Sequence, residues 1–165
     1  MSKGKMALWS TVNPLREDSL FAVMAPTYAQ MNSPLPEKGI DGISSALAHI
    51  CGLDASSTPD NNPYFNAAHA VSRLQDLPDS EVTVGHTEVL TRCIQGTFKD
   101  LLVGKDPVAL LLLYLWYRKA GKGVWWIEAR GRVEGPAICE YLRLYYGRWD
   151  AVLAFLPGGS LAERQ

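Results

Sequence analysis

Every position from Val108 to Tyr117 is apolar or aromatic. A helix with no polar face has to be surrounded by protein, so this segment is the expected centre of the core. Asp106 offers an acidic N-cap, and Pro107 takes the first helical position, where its missing N–H costs nothing. The helix is predicted to run to Lys119, with Gly121 and Gly123 making the turn after it. The apolar run is about half of the ~20 residues that a membrane span needs.

The same reading places helices on either side. Phe21, Met24, Tyr28 and Met31 recur at helical spacing within a short predicted helix over 20–31, which Pro34 and Pro36 follow. A second helix is predicted over 40–51, with Gly52 as its C-cap. Asn62 and Pro63, followed by Tyr64, mark the start of a third, running to about Leu77. There Ala67, Val71, Leu74 and Leu77 form an apolar stripe beside Phe65, His69 and Ser72. A fourth helix is predicted over 87–103, with Val89, Cys93, Phe98, Leu101 and Leu102 buried.

Trp125 opens the last long helix. Glu128 with Arg132, and Arg130 with Glu134, are spaced for i,i+4 ion pairs. Gly135–Pro136 is expected to kink or break it, because proline removes one backbone bond and clashes with the preceding turn. Beyond that point Ile138, Tyr141, Leu142 and Tyr145 are expected to face inward, and a short helix over 149–155 to close the chain. The fold expected is all-α, antiparallel helix pairs packed around the buried leucine-rich helix. Its parts are a poorly defined segment 1–38 with one short helix, a helical domain 39–157 and a flexible tail 158–165.

Composition narrows the function classes. Hydrophobic residues make up 47% and charged residues 20% of the 165, which is globular rather than disordered. A net charge of −1 argues against a free-standing nucleic-acid binder. Cys51, Cys93 and Cys139 are widely separated and odd in number, which fits a reducing compartment better than a disulfide framework. The stretch Met6–Trp9 is too short for a signal-peptide core.

Chemistry is sparse. His49 and Cys51 are the only metal-ligand types close together, and Cys-x-x-Cys is absent, so no metal site is expected. Cys139 with His69 or His86 lacks the spacing or orienting group that would mark a nucleophilic pair. Gly104–Lys105 lacks both the upstream glycine and the Ser or Thr of a phosphate-binding loop. No catalytic residue, no cofactor and no enzyme activity are expected.

The aromatic concentration is the informative feature. Tyr114, Trp116, Tyr117, Trp125, Trp126, Tyr141, Tyr145, Tyr146 and Trp149 crowd together, with Arg118, Arg130 and Arg132 near them in sequence. One reading is core packing between neighbouring helices. The other is a partly open aromatic pocket or partner groove, with Tyr114, Trp116, Arg118, Trp125, Trp126 and Arg130 as its candidates.

Several landmarks occur in a fixed order. They are Cys51-Gly52-Leu53-Asp54, Asn61-Asn62-Pro63-Tyr64, Phe98-x-x-Leu101-Leu102 and Lys105-Asp106-Pro107 with the leucine run. Trp125-Trp126-Ile127-Glu128-x-Arg130, Ala137-Ile138-Cys139-x-Tyr141-Leu142 and Leu156-Pro157 follow. This series resembles the C-terminal helical region of fungal binuclear zinc-cluster transcription factors, over Leu47 to Pro157.

The resemblance implies a nuclear regulator of transcription by RNA polymerase II, with the cytoplasm as the other compartment. The six-cysteine cluster that reads DNA in that family is absent here, so zinc binding and direct DNA contact do not transfer. Gly135–Pro136 is a second departure, since the family helix there is usually continuous. By the same resemblance Asn62, Pro63, Asp106 and Pro107 are helix starts. Trp125 and Trp126 are expected to anchor the last long helix, so that Trp126→Ala, at the ~3–5 kcal/mol of a buried tryptophan, unfolds the domain. The expected partners are proteins: a related factor, co-regulators or a second copy, with no membrane. The alternative is a helical domain that senses a sterol or other apolar small molecule.

Overall fold

A computed structural model describes Asn13 and residues 15–161. The Met6–Trp9 stretch and residues 162–165 of the expected tail lie outside the described residues. Among the described residues the fold is all-helical, with no strand. Eight α-helices follow one another: α1 Ala25–Met31, α2 Ser45–Cys51, α3 Phe65–Gln75, α4 Val84–Cys93, α5 Gly96–Val103, α6 Pro107–Ala120, α7 Trp125–Tyr146 and α8 Asp150–Leu153. None is long and apolar enough to cross a membrane.

Helix α6 is the buried spine that its composition predicts. Ala109, Leu111 and Leu112 are fully buried, and no residue of the helix is exposed. It starts where Asp106 requires: Oδ1 accepts from the amides of Val108 at 3.0 Å and Ala109 at 2.9 Å, and Pro107 fills the first turn. Helices α3, α4, α5, α7 and α8 all pack on it. The α6–α7 contact is the most extensive, and it is antiparallel. A Cβ added at Gly121 would approach Glu128, one at Gly131 would lie 3.3 Å from Tyr117 Cβ, and one at Gly135 would lie 3.9 Å from the Tyr114 ring. Small residues on α7 thus let the aromatic side of α6 come close.

Several expectations need correction. The segment over 87–103 is two helices, because the chain leaves helical geometry at Ile94 and Gln95 and Gly96 takes φ +53°. Asn62 does not cap α3, which begins at Phe65. Its Oδ1 accepts from Tyr64 N at 2.9 Å, while its amide donates to the carbonyls of Cys51 at 3.0 Å and Gly52 at 3.1 Å. Asn62 therefore closes the end of α2, and Pro63 lies in the turn before α3. Helix α2 starts at Ser45, five residues later than the pattern suggested. Ser44 caps it, and Gly52 at φ +60° ends it as expected.

Helix α7 runs unbroken through Gly135–Pro136. Proline's ring normally collides with the Cβ of the residue before it when that residue is helical, and glycine has no Cβ. Pro136 and Arg132, whose carbonyl loses its amide partner, are both exposed residues. Nor is Tyr145 inward: it is exposed, whereas Ile138 and Leu142 are buried.

At the edges, α1 is seated on α4 by Gly85, where a Cβ would lie 2.8 Å from Thr27 O. Phe21 and Met24, expected on its packing face, are exposed. Residues 158–161 turn back onto the body rather than trailing away: Leu161 N–H donates to Ala154 O at 2.8 Å, and its side chain packs on the core.

Candidate functional site

The structural motif residues meet first. Tyr64, brought in by the turn before α3, lies beside the Asp106 carboxylate that caps α6. Burial and then that carboxylate push the phenol up to about 12. Cys51 lies beside the pair, and burial followed by the charge of Asp106 raises its thiol to about 12. Cys93 is raised to about 11, chiefly by burial, and Cys139 is also raised by burial. None of the three is a thiolate at neutral pH, so none has the low pKa of a reactive cysteine. His69 and His86 are occupied elsewhere, by Gly39 O at 3.1 Å and Thr83 Oγ1 at 3.1 Å. Among the described residues no group of three or more metal-ligating side chains converges.

The aromatic candidates divide into two sets. Trp116 and Tyr114 belong to the core. Trp116 is 6% exposed, and its indole N–H donates to Thr87 O at 3.1 Å, which satisfies the one polar atom of a buried ring. Tyr114 is buried as well, with the Arg118 guanidinium 5.9 Å from its ring centre. Tyr117, inward beside Gly131, donates its phenolic hydrogen to Glu134. Burial and then Glu134 push its pKa up. Glu134 is pushed up by partial burial, but the bonds from Tyr117 and Arg130 outweigh that and hold it below its usual range.

Trp125 and Trp126 are the second set. They stand 74% and 44% exposed, their rings edge to face at 5.7 Å. They therefore do not anchor α7 on α6. Ile127, Gly131, Gly135, Ile138 and Leu142 form the inner side, and the tryptophans fall on the outer one. They begin a line of exposed apolar side chains continued by Ala129, Val133, Pro136, Ala137 and Leu144. Val133 is 74% exposed and Leu144 70%. Solvated ion pairs flank the line, as their spacing predicts: Arg130–Glu134 at 2.7 Å and Arg132–Glu128 at 2.6 Å. The sequence reading missed Val133 and Leu144. Their signal was a second apolar stripe on a helix whose first stripe already filled the core.

Several concavities adjoin these elements, among them one of about 520 Å³ formed by residues 144–149 at the end of α7. One of about 240 Å³ lies between α6 and α7, with Arg118, Lys122, Glu128 and Arg132 around Tyr114 and Tyr117. Another, of about 550 Å³, lies between the 59–63 turn and α4–α5, where Asp60, Asn61, Asn62, Arg92 and Gln95 surround Cys93 and Phe98. Charged and polar side chains edge the last two, and Tyr114 and Tyr117 line the smaller of them.

No family model, no curated protein and no solved structure matches this chain.

Proposed function

We propose that this chain is a helical regulatory module that acts through protein contacts, of the kind found in the C-terminal region of fungal zinc-cluster transcription regulators. In this reading it works in the nucleus on transcription by RNA polymerase II, and other proteins make the contact with DNA. The observation that carries the contact reading is the outer face of α7, where Trp125, Trp126, Val133 and Leu144 stay in water. Exposed aromatic and aliphatic anchors in one line, rimmed by paired charges, are the composition of a protein-binding surface. The transcriptional part rests on the ordered series from Cys51 to Pro157.

Tethering the chain to an unrelated DNA-binding domain upstream of a reporter in a fungal host tests this reading. Reporter output should change relative to the DNA-binding domain alone, and the untethered chain should retard no DNA in a gel. Unchanged output at equal protein abundance contradicts the regulatory role, and a gel shift contradicts the absence of DNA contact.

A further inference from the structure

The outer stripe of α7 is complementary to itself in one orientation. Its length from Trp126 to Leu144 is about 27 Å at ~1.5 Å per residue. Suppose a second copy of α7 lies against it antiparallel, with the two-fold axis at the level of Gly135. Trp126 then comes level with Leu144 of the other copy and Val133 with Ala137. Arg130 comes level with Glu140, and no two like charges of the helix share a level. Glu140 lies within the apolar stripe, exposed and unpaired among the described residues. Arg130 uses Nε and Nη2 on Glu134 Oε1, at 3.0 and 2.7 Å, which leaves Nη1 for a second carboxylate. A parallel pairing would instead set Glu140 against Glu140, like charge on like charge.

We propose that the chain self-associates through antiparallel pairing of α7, with Trp126, Val133 and Leu144 as the apolar seam and Arg130–Glu140 ion pairs fixing the register. The proposal deepens the contact reading above and rests on it. The area is adequate for a second copy. With aromatic side chains at ~150–250 Å² each, the exposed parts of Trp125, Trp126, Val133 and Leu144, with the small stripe residues Ala129, Pro136 and Ala137 between them, come to about 600 Å² per copy, against ~800 Å² per partner in a standard interface. An isologous contact of this kind closes at two copies.

Sedimentation equilibrium of the full chain over a concentration series, with circular dichroism as the check on folding, tests the pairing. The unaltered chain should form dimers. Val133→Asp should be monomeric with unchanged helicity. Glu140→Arg, which sets arginine against Arg130, should weaken association about tenfold, and the pair Arg130→Glu with Glu140→Arg should restore it. A chain monomeric at every concentration overturns the proposal. So does a dimer that survives Val133→Asp, which would point to another apolar face such as Leu20–Met24. A double variant no tighter than Glu140→Arg overturns the register. A monomeric chain that still drives the tethered reporter sinks the pairing and leaves the regulatory reading standing. A dimeric chain with a silent reporter does the reverse.

Discussion

The indole N–H of Trp116 donates to the carbonyl of Thr87 at 3.1 Å, tying the buried helix α6 to the first turn of α4. Trp116→Ala removes a buried ring and leaves that carbonyl without its partner, so it should cost about 3–5 kcal/mol. Trp126→Ala, on the open side of α7, should cost less than about 1 kcal/mol. Urea unfolding of both variants checks the contrast. Equal losses would mean that Trp126 is packed as firmly as Trp116.

The turn between α6 and α7 is a second rigid point. A Cβ on Gly123 would fall 2.0 Å from Val82 O, a backbone atom that cannot swing aside. Gly123→Ala should therefore destabilise the fold by about 1–3 kcal/mol, as overpacking does. A melting temperature equal to that of the unaltered chain would show that the two loops do not abut.

Pro136 gives the opposite expectation. It sits exposed inside α7, where it supplies no amide to the carbonyl one turn back. Pro136→Ala restores that bond and should stabilise the chain by about 1–3 kcal/mol. A fall in melting temperature would show that the ring itself packs against something.

His69 makes stability depend on pH. Burial, and then the charge of Arg73, lower its pKa, while the Gly39 carbonyl and Asp41 pull the other way without prevailing. The unfolded chain, with His69 at ~6.5, thus binds a proton at pH values where the folded chain does not. Its contribution is full above ~6.5 and is lost as pH falls from there to the folded value. Denaturant midpoints should drop between pH 7.5 and pH 5.5. In His69→Gln that drop should be smaller, and an unchanged slope would remove His69 from the account.

Much of this fold was legible in the sequence, for reasons that differ by residue. Asp106–Pro107 and the apolar run identified α6 because capping chemistry and all-round hydrophobicity are local signals. The ion pairs of α7 were equally local. The break at Ile94–Gly96 was hidden because apolar spacing continues across it, and only the backbone geometry of Gly96 reveals it. Asn62 is a good cap by type, but its amide found the carbonyls ending α2, a partner distant in sequence. The candidate site was half legible. The aromatics were found, but α7 carries two apolar stripes, and the side that meets α6 is chosen by Gly131 and Gly135, which admit Tyr117 and Tyr114. Once those glycines face inward, Trp125 and Trp126 have to face out.

Val133 on α7 and Val103 at the end of α5 are equally exposed, at 74% each, and only Val133 lies on the proposed contact face. The tethered reporter with Val133→Asp and Val103→Asp, at matched abundance and helicity, tests that face most directly. The account predicts that Val133→Asp abolishes the change in output and that Val103→Asp preserves it. Equal output from the two variants, whether intact or lost, would contradict it.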